Sequence, residues 1–223
     1  MQEGERLAGA PIVFSDAPYV FDEEDRLMFI QVGKQLSQAL VNTRIHEKVR
    51  VEAITDGLTG AYNRRYLDDF LNIEVKRSQR YQRPMSILLL DMDYFHACNE
   101  KAGHQAGDRA LRDVVQLLNL GVRSVDLVAR YGGKEFMVVL PETEAEGAME
   151  VAQRIRRLIE NHHFLCGALT ASIGVGASPF RENDSPSLDE LVGQTDKALY
   201  RAKEDGRNRI RLWDSGMVTS REK

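Results

Sequence analysis

Residues 130 to 136 read Arg-Tyr-Gly-Gly-Lys-Glu-Phe. Two apolar runs, Asp126-Leu-Val-Ala-Arg-Tyr131 and Phe136-Met-Val-Val-Leu140, flank the Gly132-Gly133 pair. Alternating apolar runs around paired glycines predict a tight β-hairpin that presents a side chain at its tip. That side chain is Lys134, with Glu135 following it. A cation and an anion therefore share a turn, and the rest of the chain decides what the turn faces.

Working backwards, Met85-Ser-Ile-Leu-Leu-Leu90 reads as a buried strand running into Asp91, and Pro84 ends the connection before it. A helix from about Asn63 to Tyr81 buries Tyr66, Leu67, Phe70 and Leu71. Residues 104 to 120 form an amphipathic helix through Leu111, Val114, Val115 and Leu118. Beyond the hairpin, residues 143 to 162 are helical and Leu169 to Gly176 is a strand rich in small residues. Ser187 with Glu190 three residues on is a capping box that opens a helix to Lys203, and Asn208 to Trp213 closes as a strand. Strands alternate with helices but include a hairpin. The expected class is therefore α/β (α+β), a mixed sheet with flanking helices.

Upstream, acidic residues at Asp22–Asp25 suit a helix N-terminus, and the run continues without a break to about Ile54. Phe29, Val32, Leu36, Leu40 and Thr43 step by three and four. About 30 residues would reach roughly 45 Å. That length suits a stalk pairing with its twin as a coiled coil, and a helix folded against its own domain is the other reading. Four segments are expected: 1–22, the tail of an upstream region; 23–55, the stalk; 56–213, the main domain; 214–223, a frayed tail.

With 43% hydrophobic residues the chain can bury a full core. A net charge of −4 gives no bulk attraction to nucleic acid or anionic membrane, so any polyanionic ligand must be held by local Arg and Lys clusters. No apolar run approaches a membrane span and Met1 begins no signal peptide, so a soluble, cytoplasmic protein is expected. Cys98 and Cys166 sit in apolar surroundings and are expected to be reduced core thiols, a disulfide being the lesser alternative.

Four stretches in order carry a family resemblance: D-G-L-T-G-A-Y-N-R-R at 56 to 65, L-D-M-D-Y-F at 90 to 95, N-E-K-A-G-H-Q-A-G-D at 99 to 108, and A-L-Y-R-A-K-E-D-G-R-N-R at 198 to 209. Together they resemble the GGDEF domain of bacterial diguanylate cyclases, a nucleotide-cyclase or polymerase palm-like fold. The helix before it resembles the end of a GAF domain. The resemblance implies condensation of two GTP into cyclic di-GMP across a dimer, with Mg²⁺ or Mn²⁺ at the triphosphate. It implies Asp91 as a metal ligand, and a second carboxylate directly after Gly132-Gly133. Lys134 stands there instead. It further implies that Asn99 and Asp108 read guanine, and that Lys203 and Arg207 bind phosphate; His96 and Glu100 depart from the usual Lys and Asp. Arg123 and Asp126, in R-S-V-D, match the site that binds the product, and Arg154 matches a second arginine of that site. Arg156 and Arg157 are expected on a solvated face, and His162 and His163 as a helix-end pair.

The charge inversion is not small. A divalent cation about 4 Å from a unit charge interacts by about 8 kcal/mol at an effective dielectric of about 20, an upper-end figure. Glu135 cannot simply stand in, because neighbouring strand side chains point to opposite faces. An Arg fork, in contrast, matches guanine O6 and N7, and a carboxylate accepts from N1–H and N2–H. The expected function is a catalytically inactive cyclic di-GMP receptor, a bacterial homodimer that signals through its stalk to a protein output partner and also holds GTP. The alternative is a low-activity cyclase under product inhibition; a lysine introduced to silence an active enzyme is a third possibility.

Overall fold

The computed structural model describes residues 12–14, 16, 21–178 and 186–214. Most of segment 1–22 and everything after Asp214 lie outside them. The chain divides into two units at Ile54. The first contains helix α1 (Glu23–Ile54) up to Ala53; its first turn holds Glu23, Glu24 and Asp25 and it buries no residue. Leu36, Leu40, Ile45 and Val49 are each about half exposed along it.

The second unit is built on one sheet. Its elements are α2 (Arg64–Tyr81), β1 (Met85–Asp93), α3 (Phe95–Ala102), α4 (His104–Gly121), β2 (Leu127–Gly132), β3 (Glu135–Pro141), α5 (Ala145–Glu160), β4 (Thr170–Ser178), α6 (Leu188–Glu204) and β5 (Ile210–Leu212). The strand order is β2-β3-β1-β4-β5. All neighbours are antiparallel except the β4/β5 pair. The sheet is thus mixed and covered by helices on both faces.

β1 is buried along its whole length, and its alternation sorts the core. Leu88, Leu90 and Met92 join one cluster with Leu111, Val114 and Leu118 of α4 and Val151 and Ile155 of α5. Met85, Ile87 and Leu89 join the other with Leu67 and Leu71 of α2 and Leu191 and Leu199 of α6. By the same parity Asp91 falls on the α2/α6 side. α2 opens with Asn63 accepting from the Tyr66 amide at 3.0 Å. The capping box at α6 forms as read, between Ser187 and Glu190.

Two glycines of β4 bring α6 unusually close. A Cβ on Gly174 would lie 2.3 Å from the Thr195 carbonyl and 2.4 Å from the Leu199 amide, so helix backbone rests directly on the strand. This approach sets the distance from the last turn of α6 to the end of β1.

Two sequence expectations need correction, and one helix was not foreseen. Cys98 of α3 and Cys166 form a disulfide, their Cα atoms 5.2 Å apart; both face the same apolar cluster from opposite ends of a 68-residue separation, so burial brings them together instead of keeping them apart. Helix α3 was not expected. It starts after Tyr94, which has φ 52° and makes no side-chain cap, so the usual start signal is missing. Arg156 does not belong to a solvated face: it bonds Glu160 and Asn208, each at 2.9 Å, and ties α5 to the loop before β5.

Candidate functional site

The hairpin forms as read, with Gly132 opposite Glu135 and a turn at Gly133 and Lys134. β3 pairs with β1 so that Glu135 stands opposite Asp91, which carries the tip to the end of the central strand. A register shift between Arg130 and Gly132 precedes the turn. Arg130 then braces it from inside, donating to Gly133 O at 2.7 and 3.2 Å and to both Asp56 oxygens at 3.0 and 3.2 Å. Burial pushes the Asp56 carboxyl up, but the Thr59 hydroxyl and amide together with Arg130 hold it below its ordinary value. The sequence reading missed Arg130 and Asp56. An arginine three residues before the second tip glycine was the available signal.

Asp91 is 3% exposed. Lys134 Nζ lies 2.9 Å from its Oδ1, and Lys203 Nζ lies 3.0 Å from its Oδ2. Lys134 Nζ also donates to Met92 O at 3.0 Å. One buried carboxylate is therefore clasped by two ammoniums, the second delivered by α6. Asp93, two residues on and on the same face, takes another part: it accepts from Thr170 Oγ1, Ser172 Oγ and the Asn208 amide at 2.8 to 3.0 Å. That role was missed too, although the D-x-D spacing places both carboxylates on one side of the strand. Contrary to the expectation that Glu135 points to the opposite face, it pairs directly with Asp91 across the strands and shares its face of the sheet, but it folds its Oε2 back toward Gly132, 3.0 Å from where a Cβ would stand. Arg207, with φ 61°, lays its guanidinium over the Tyr94 ring at 5.0 Å. Lys203 therefore meets Asp91, while Arg207 stays on the rim.

Asn99 sits on α3 with its side-chain oxygen pressed against Gly107, one residue before Asp108. A Cβ at 107 would lie 1.9 Å from Asn99 Oδ1 and would force that side chain to turn away. That oxygen is buried and without a hydrogen-bond partner. His96 pairs with Glu100 at 3.2 Å on the exposed side of the same helix.

At the start of β2, Asp126 Oδ2 accepts from the Arg123 amide at 2.8 Å, and the Asp126 amide donates back to Arg123 O at 3.1 Å. This closes a turn that leaves the Arg123 side chain exposed. Asp126 Oδ1 is buried with no partner. Burial pushes the Asp126 carboxyl above its ordinary value; the Arg123 amide and the charges of Arg123 and Arg154 offset only part of it. Arg154 bonds Gly121 O through Nε and Nη2 at 2.9 and 2.7 Å, and lines a groove of about 770 Å³ on α5 with Met149, Gln153 and Leu158. His162 stands by Asp113 at 3.7 Å and edges onto Phe164. The structure thus gathers Asp91, Lys134 and Lys203 at one place and Arg123, Asp126 and Arg154 at another. Among the described residues no cluster of three or more His, Cys, Asp or Glu side chains is arranged to hold a metal ion.

A mixed five-stranded sheet with a charged hairpin tip set against the central-strand aspartate is the layout of a nucleotide-cyclase palm. The chain belongs to the GGDEF family: the description "Diguanylate cyclase, GGDEF domain" matches residues 53–209. It is 40% identical over 164 residues to the response regulator PleD of Caulobacter vibrioides, covering 71% of this chain and 36% of that protein. To the diguanylate cyclase DosC of Escherichia coli it is 36% identical over 193 residues, covering 84% of this chain and 42% of the relative. The chain thus spans about two fifths of the length of these relatives. Among solved structures, the coiled coil and GGDEF domain of DgcB from Caulobacter crescentus, in complex with c-di-GMP, superposes with a TM-score of 0.72 at 27% identity, covering 83% of this chain and 98% of that one. The active GGEEF domain of a diguanylate cyclase from Vibrio cholerae gives 0.65 at 30% identity, covering 69% and 97%.

Proposed function

We propose that this domain is a receptor for cyclic di-GMP that has lost the cyclase reaction of its family. The observation that carries the reading is Lys134 Nζ lying 2.9 Å from Asp91 Oδ1. The family's chemistry needs Mg²⁺ or Mn²⁺ at the triphosphate, held by carboxylates. Here Asp91 already faces two ammoniums and its buried neighbour Asp93 is taken up by Thr170, Ser172 and the Asn208 amide, so the residues present do not fit a divalent ion. Displacing them would set that ion beside a cation on the tip, where repulsion costs affinity at about tenfold per 1.4 kcal/mol.

The product site supports the other half of the reading. Arg123 is exposed and can fork onto guanine O6 and N7, while Asp126 Oδ1 is a buried acceptor for N1–H and N2–H. Arg154 adds a positive charge within reach of the same carboxylate. The exposed apolar stripe of α1 supports dimerisation through a coiled coil, as does the coiled-coil DgcB structure. Ligand bridging two domains would then alter the helix and what it docks onto. The competing reading, a slow cyclase under product inhibition, draws on relatives named as diguanylate cyclases.

One experiment separates them. The protein is incubated with GTP and Mg²⁺ or Mn²⁺ while cyclic di-GMP is followed, and cyclic di-GMP is titrated calorimetrically into the protein and into Arg123→Ala. No turnover, with micromolar binding abolished by Arg123→Ala, is the expected result. Sustained product formation overturns the receptor reading.

A further inference from the structure

This inference rests on reading Asn99, Asp108, Lys203 and Arg207 as a GTP pocket, and it concerns how that pocket holds a triphosphate. Lys134 Nζ donates to a carboxylate oxygen, Asp91 Oδ1 at 2.9 Å, and to a backbone carbonyl, Met92 O at 3.0 Å. Carboxylate plus carbonyl is a donor set of hard oxygens, the kind a divalent cation takes. The ammonium therefore stands in the place of a cation, not in the place of a ligand. We infer that Lys134 is a built-in counter-cation, so that the pocket binds a nucleoside triphosphate without any divalent metal.

Charge counting supports this. A carboxylate at position 134 with a bound divalent ion sums to one positive charge, and Lys134 carries one positive charge alone. Asp91 and Lys203 are common to both arrangements, so the net charge offered to a polyphosphate is the same. The donors are also there. A lysine ammonium has three N–H groups; Lys134 spends two, on Asp91 and Met92. Its side chain is 40% exposed and that of Lys203 29%, so both remain within reach of an incoming anion while they neutralise the buried Asp91. An ammonium neutralises phosphate charge, but it cannot take a hydroxyl as a ligand and make it a stronger nucleophile, as a metal does. Binding is kept and turnover is not.

The test is calorimetric titration of GTP in EDTA and again in excess Mg²⁺, with cyclic di-GMP titrated into the same samples. GTP is expected to bind in EDTA at least as tightly as with Mg²⁺, since the free triphosphate carries more negative charge. Lys134→Met should weaken binding in EDTA about ten- to hundredfold, the loss of a hydrogen bond between charged groups. Lys134→Glu should abolish binding in EDTA and regain it on adding Mg²⁺. The unaltered protein binding GTP only with Mg²⁺ overturns the inference. So does an absence of GTP binding under both conditions, which also removes the pocket reading. Cyclic di-GMP binding in the same samples shows that each variant is folded, and its failure would count against the receptor reading alone.

Discussion

Asp126 offers the sharpest test of the receptor reading, because its two oxygens do different work. Oδ2 accepts from the Arg123 amide and closes the turn; Oδ1 is buried with no partner. Asp126→Asn leaves an oxygen for the turn but puts an NH₂ where guanine N1–H and N2–H need an acceptor. Losing a hydrogen bond to a charged group costs about 1.5–3 kcal/mol, so cyclic di-GMP affinity should fall about 10- to 150-fold at neutral pH. The pH dependence carries an independent sign. Burial raises the carboxyl above its ordinary value of 3.8 in the free protein, and guanine N–H donors favour the ionised form. Ligand binding therefore releases a proton near that raised value. Affinity should be flat at neutral pH and should fall as pH drops through the raised value, approaching about tenfold per pH unit below it. In Asp126→Asn that slope should vanish. The assay is isothermal calorimetry across a pH series, with a circular-dichroism melt to confirm folding. Equal affinity in the two proteins, or an unchanged slope, would refute the assignment of Oδ1 to the ligand.

Two further outcomes probe what positions the sites. Gly174→Ala drives a methyl against the backbone of α6 at 2.3 and 2.4 Å, so the urea midpoint should drop by the equivalent of about 3 kcal/mol, the upper end for overpacking; an unchanged midpoint would show that α6 does not rest on β4 this closely. A thiol reductant should lower the stability of oxidised protein by up to about 4 kcal/mol, the loop-closure figure for a crosslink across 68 residues, and Cys98→Ser should be indifferent to the reductant; a melting curve that reductant leaves unmoved would count against the Cys98–Cys166 bond.

The sequence was legible where local pattern and final environment agree. β1 is apolar from Ile87 to Leu90 because both of its faces are covered, and the Asn63 and Ser187 caps announce α2 and α6 without help from tertiary structure. The hairpin is announced by its glycines. Legibility fails where a feature depends on chain segments far apart. The Cys98–Cys166 bond depends on α3 and the segment before β4 meeting across the core, and 68 residues of spacing say nothing about that. Arg156 looks like one more basic residue of an amphipathic helix until the loop at Asn208 is folded against it. At the site, the positive charge of the hairpin tip could be read, and so could the nearness of Lys134 to Asp91. That Lys203 would also reach Asp91 could not, because this depends on how closely Gly174 lets α6 settle.

Hydrogen-bond satisfaction distinguishes the two sites more sharply than charge alone. Asp91 is buried, and each of its oxygens meets an ammonium about 3 Å away, so it gains little from a further cation. Among the described residues, only two buried side-chain polar atoms lack a partner: Asp126 Oδ1 and Asn99 Oδ1. Each lies at a position where a guanine edge with N–H groups to donate is expected. A buried acceptor left unpaired costs about 1–3 kcal/mol, and a fold retains such a cost where a ligand relieves it. The Asp91 carboxylate is thus satisfied by two lysines, while Asp126 Oδ1 and Asn99 Oδ1 are left unsatisfied within the fold. On the proposed receptor reading, a guanine nucleotide would relieve that cost, whereas a metal ion at Asp91 would not.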